Sequence, residues 1–182
     1  MRPEPGQVLH FSEDPMIARF APHVAATAQQ AESYVWAVDW RNAPSYWFPR
    51  QCPRAMAWAT ARSSDEDRTL ILGPGGGERV HAVEYGWLEA MRTVKLYAYR
   101  FDAARFRPFG TPAEPHAWVS EQSVLPLGPA EPVGDLFALL EEADIQLRVL
   151  PNLWPFWNAV VSSTLGFSGI RLRNAKPQDQ RV

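Results

Sequence analysis

Cysteine is almost missing from this chain: Cys52 stands alone, which excludes an internal disulfide and any zinc framework built on thiolates. Lysine is nearly as scarce. Lys95 and Lys176 are the only two among 18 basic residues, so the positive charge is arginine's, suited to fixed bidentate contacts and equally the habit of GC-rich coding. An excess of either charge is also lacking: 18 basic against 20 acidic residues leave a formal charge of -2, without the electropositive footprint that duplex nucleic acid requires. Nucleic acid is therefore not an expected partner. No apolar run approaches the roughly 18 residues of a membrane-spanning helix, so no membrane association is expected. Met1 to Gly6 lead into no apolar core of a secretion signal, and a cytoplasmic location is the expectation. His10, His23, His81 and His116 fall in no HxH or HExxH grouping, and no metal site is expected. The glycines from Gly73 to Gly77 are no phosphate loop, because Glu78 stands where the last glycine should be and no Lys-Ser or Lys-Thr follows.

What is plentiful is proline, 17 residues, and tryptophan, 8, which together imply many loops around an aromatic core. The length fits one domain, expected over 1–175, with a disordered tail over 176–182. Strands are expected over Val8 to Ser12, Ser33 to Val38, Ala55 to Thr60, Arg79 to Glu84, Thr93 to Phe101, Ala117 to Ser120, Val124 to Leu127, Ile145 to Leu150 and Gly169 to Arg173. Helical turns are expected at Met16 to Phe20, after Ser63-Ser64, over Gly86 to Arg92, over Gly134 to Glu142 behind Asp135, and over Asn152 to Thr164. The stretch from Ala21 to Glu32 reads as a mobile loop. The fold class is α+β, with two small, mostly antiparallel sheets and short helices.

The densest chemistry lies in Tyr46-Trp47-Phe48-Pro49-Arg50-Gln51-Cys52-Pro53-Arg54. Its prolines remove backbone donors and suit a rigid wall outside regular structure. Arg50 and Arg54 could grip a phosphate or carboxylate, or form surface ion pairs, while Tyr46 offers a face to a planar ring. If both arginines approach Cys52, they favour its thiolate, although a lone cysteine is more often a small buried hydrophobe. His10 and Ser12 share one face of the first strand, where they could hold ribose hydroxyls or serve as core hydrogen-bonding groups. Glu84 and Glu89 flank a short helix and read as solvated. Trp154 and Trp157 read as core, and Arg171 and Arg173 as neighbours on one strand face.

Leu9-His10-Phe11-Ser12, Tyr46-Trp47-Phe48-Pro49-Arg50, Trp118-Val119-Ser120 and Ser168-Gly169-Ile170-Arg171-Leu172-Arg173-Asn174-Ala175 resemble the phrases of a bacterial family of unknown function, DUF6886. That resemblance covers nearly the whole chain and implies no activity. A broader similarity is to the ADP-ribosyltransferase-like fold, which implies an NAD-binding cleft. In it, His10 would contact the nicotinamide ribose, Tyr46 would stack on nicotinamide, Arg50 and Arg54 would hold the pyrophosphate, and Trp118 and Ser120 would lie near the catalytic corner. The chain departs from that pattern where a catalytic carboxylate is expected, since Ala117 or Trp118 stands there; Glu121 is the acid that would substitute. The implied activity is ADP-ribosyl transfer or NAD glycohydrolysis. The alternative is a non-catalytic binding or interaction module on the same scaffold.

Overall fold

The computed structural model describes residues 2–23, 32–75, 77–111 and 114–178; residues 24–31 of the expected loop and 179–182 of the expected tail lie outside the described residues. In chain order the strands are β1 (Gln7–Ser12), β2 (Val35–Ala37), β3 (Arg54–Trp58), β4 (Arg79–Glu84), β5 (Tyr97–Asp102), β6 (Arg107–Thr111), β7 (Glu114–Ser120), β8 (Glu131–Pro132), β9 (Gln146–Leu150) and β10 (Gly166–Ile170). The four α-helices among the described residues are short: α1 (Asp65–Asp67), α2 (Leu88–Thr93), α3 (Leu136–Glu142) and α4 (Trp154–Val161). The class is α+β, as expected. Among the described residues the sheets number three rather than two, in the orders β1-β5-β8, β2-β7-β6 and β10-β3-β4-β9.

Chain contacts divide the protein into two compact units. The first comprises Met1–Arg50 and Val94–Gly134, and holds two of the sheets. Its core packs Val8, Phe20, Val35, Ala37, Tyr99, Phe101, Phe106 and Val124. Phe20 meets Tyr99 and Phe101 edge-on, with centroids 4.9 and 5.0 Å apart, the geometry that the ring quadrupoles favour. Met16 to Phe20 forms no helical turn. Instead Phe20 bridges to Val124 through paired backbone hydrogen bonds of 2.9 Å, with its ring buried in the core. The proline-rich stretch after β5 contributes β6, which tolerates Pro108 because it is the last strand of its sheet; Pro132 on β8 occupies the same kind of edge. Gly110, at φ +122, sits at the bulge between β6 and β7, where a Cβ would fall 2.5 Å from the His116 ring.

The second unit comprises Gln51–Thr93 and Asp135–Val182. β3 and β4 form its centre, antiparallel to each other, with β10 antiparallel on one side and β9 parallel on the other. The small inward residues Ala55 and Ala82 let α4 pack close through Leu153 and Trp157. Ser64 caps α1 by accepting from the Asp67 amide, and Asp135 caps α3 by accepting from those of Phe137 and Ala138. β10 stops at Ile170, short of the expected strand. Arg171 turns left-handed at φ +57 and opens a 3-10 turn, so Arg171 and Arg173 do not share a strand face.

Candidate functional site

The site in the first unit grows from a seam between two strands. Leu9 and Val38 exchange both backbone hydrogen bonds, 2.7 and 2.8 Å, like one rung of an antiparallel ladder. Two residues on, a continued ladder would bring a β1 amide to the Trp36 carbonyl. The imidazole Nδ1 of His10 occupies that position instead, donating to the Trp36 carbonyl at 2.7 Å. A side chain thus stands in for a backbone rung and the strands part. β1 and β2 accordingly belong to different sheets, and a small cavity opens at the split. It has a volume of about 70 Å³ and is lined by Leu9, His10, Phe11, Trp36, Val38 and Tyr46, among others.

The carbonyl can only accept, so Nδ1 carries the proton and Nε2 of the neutral ring is left as an acceptor. Burial pushes the His10 pKa down to about 4. The bond to Trp36 works against that shift, and the positive charges of Arg50 and His23 add to it. Phe20 packs edge-on against the ring at 4.9 Å. Arg50 therefore lies within electrostatic reach of His10, and its own amide is anchored to Glu13 Oε1 at 2.7 Å. Tyr46 ends the 3-10 turn Ala43–Tyr46 and borders the cavity. The indole N–H of Trp36 is buried and meets no acceptor among the described residues. Nothing in the alternation of β1 and β2 marks Trp36 as a site residue, and sequence reasoning passed over it.

The other candidates do different work. Ser12 is buried on the His10 side of β1, and its hydroxyl accepts from the Asp14 amide at 3.1 Å, which ends the strand in a tight turn. Ser120 closes β7 similarly, its hydroxyl donating to the Gln122 carbonyl and accepting from its amide. Trp118 pairs in register with Ala37 and packs on the first unit's core. Glu121 lies just past β7, which pairs with the edge of β2 away from His10, and forms an ion pair of 3.1 Å with Arg107. Arg107 also donates to the Tyr34 hydroxyl at 3.1 Å, and both bonds raise its pKa, the one to Glu121 more.

The aromatic and basic wall is divided between the two units. Trp47 and Phe48 are core residues, at 2% and 1% exposure, so Tyr46 is the ring of that stretch which borders a cavity. Arg54 belongs to the second unit, where it is buried and donates to the Cys52 carbonyl at 2.9 Å. Cys52 is fully buried, and burial pushes its thiol up to about 12, outweighing the pull of Arg54. Cys52 is thus the small buried hydrophobe that a lone cysteine more often is, rather than a thiolate. Glu84, expected to be solvated, is buried at the end of β4. It accepts from the amides of Leu153 (3.1 Å) and Lys176 (3.1 and 3.2 Å), and so joins the start of α4 to the C-terminal segment. In the same unit His81 is fully buried and accepts from Arg79 Nε at 2.9 Å. Burial first, then Arg79 and Arg54, hold its pKa well below the usual value. Among the described residues no three His, Cys, Asp or Glu stand together as a metal site, and no helix is long and apolar enough to cross a membrane.

A three-sheet α+β scaffold with one histidine-lined seam defines the class no further than its geometry. The chain belongs to a family of unknown function, DUF6886, whose model matches residues 9–175. No curated protein and no solved structure matches it.

Proposed function

We propose that the seam cavity binds the ring of a nucleotide of the NAD kind, and that the protein is a binding module for it. The observation carrying this reading is the neutral His10, which lines the cavity with its tautomer set by the Trp36 carbonyl, so that Nε2 is the ring's acceptor. A ligand carboxamide N–H or ribose hydroxyl would donate to Nε2, Trp36 would offer its indole N–H to a ligand carbonyl, and Tyr46 would contact the ring. The cavity's 70 Å³ is far below the roughly 300–1,000 Å³ of pockets that enclose a drug-sized ligand. It suits one ring or its edge, with phosphates outside near Arg50.

Binding is favoured over cleavage on two grounds. A histidine with a pKa of about 4 is a weak base at neutral pH, and Glu121 is engaged by Arg107 across β2 from His10. Calorimetry with NAD, AMP and nicotinamide tests the reading. Wild type is expected to bind NAD, His10→Ala and Arg50→Ala to bind it about tenfold more weakly, and no nicotinamide to be released. Failure of all three ligands to bind at about 1 mM removes the proposal. Nicotinamide release that disappears in Glu121→Gln would replace it with ADP-ribosyl chemistry.

A further inference from the structure

A second feature, in the second unit, is independent of the seam. Among the described residues β9 is the last strand of its sheet and pairs only with β4. Among the described residues, no backbone hydrogen bond engages the outward edge of Leu147 to Leu150. Exposed edges are templates for further strands, and proteins commonly blunt them with proline, as β6 and β8 do here with Pro108 and Pro132. β9 has no such guard. Beside it lies a cleft of about 310 Å³ lined by Phe137, Leu140, Ile145 and Leu147, with Glu141 and Asp144 among them.

The charge there runs against helix electrostatics. α3 ends in a left-handed turn: Asp144, at φ +53, donates to the Glu141 carbonyl, and the Ile145 amide bonds to the Leu140 carbonyl at 2.9 Å. That position usually takes glycine, and the end of a helix favours cations. This one has no basic residue in its last turn and carries Glu141, Glu142 and Asp144 at its end. Among the described residues neither Glu141 nor Asp144 forms an ion pair. An apolar cleft, an open strand edge and two carboxylates outside any ion pair therefore coincide, with the Arg92 guanidinium over the Phe137 ring as the cation of the neighbourhood. We propose that the groove between α3 and β9 docks an extended, basic segment of a partner protein by strand addition, with its lysine or arginine held between Glu141 and Asp144.

A second copy of this chain is the poorer occupant. Full antiparallel overlap of two β9 strands sets Arg148 opposite Arg148, and like charges directly opposed destabilise a pair.

Fluorescence anisotropy with a labelled, acetylated heptapeptide, Thr-Val-Lys-Val-Arg-Val-Thr, tests the proposal. The peptide is expected to bind wild type and slow amide exchange over 146–150. Methylating every second amide nitrogen, in one phase or the other, is expected to abolish binding in one phase and spare it in the other. The double variant Glu141→Gln/Asp144→Asn, altered only at the rim, is expected to bind about tenfold more weakly. No binding at about 1 mM, equal binding by both methylated peptides, or unchanged affinity in the double variant overturns it. Dimerisation of the free protein with protection confined to 146–150 would assign the edge to a second copy and overturn it as well.

Discussion

His10 loses its charge on folding, and the direction of that change sets how the protein responds to acid. In the fold it titrates near 4, against an ordinary 6.5, so between these values the unfolded chain binds a proton that the folded chain does not. Stability contributed by the neutral ring is complete above pH 6.5 and is lost as the pH falls toward 4, an effect of at most about 3 kcal/mol for one such group. His81 acts in the same direction. Urea unfolding of His10→Gln from neutral pH down to pH about 4.5 should show a shallower fall than wild type, with the His81 share remaining; identical slopes would mean that His10 is not buried neutral. The same reasoning makes Cys52 unreactive. A thiol raised to about 12 and sealed from solvent should react with a disulfide reagent at least about a hundredfold more slowly in the native protein than in urea. Rapid native labelling would contradict its burial.

Glu84 shows what a single carboxylate does for the elements around it. It satisfies the amide of Leu153, the residue that caps α4, and that of Lys176, both otherwise without an acceptor. Glu84→Ala leaves them unpaired and is expected to cost about 2–3 kcal/mol in urea unfolding, with α4 amides exchanging faster; a loss within experimental error would show the anchor to be dispensable. Gly166, where a Cβ would lie 2.3 Å from Trp58 Nε1, is a second dependence. Gly166→Ala should destabilise by about 1–3 kcal/mol as the indole is displaced. The elements that could be read directly were those whose signals are local. β4 follows its apolar run residue for residue, and α3 starts where Asp135 can cap it. The elements that escaped depend on distant partners. β6 was hidden by Pro108, which only an edge position permits, and the split of β1 from β2 comes from one imidazole reaching a carbonyl 26 residues away. At the site, Ser12 and Ser120 looked like ligand groups because strand-end hydroxyls serve turns and ligands with the same atoms. Trp36 matters through its position at that split, which local pattern does not encode.

Neither compact unit is a continuous piece of chain: the first resumes at Val94 after leaving off at Arg50, and the second resumes at Asp135 after Thr93. A fragment over 51–182 keeps every segment of the second unit but leaves β5 without β1 and β7 without β2. It is expected to bind a hydrophobic dye and aggregate, and the full chain to do neither; a soluble, cooperatively folding fragment would overturn that expectation. The parallel pairing of β4 with β9 has a consequence for biosynthesis. β4 ends at Glu84 and β9 begins at Gln146, so a ribosome adding roughly 5–20 residues per second leaves one flank of β4 bare for several seconds after it emerges. Over that interval the nascent hairpin of β3 and β4 is the segment of this protein that a chaperone would have most reason to hold.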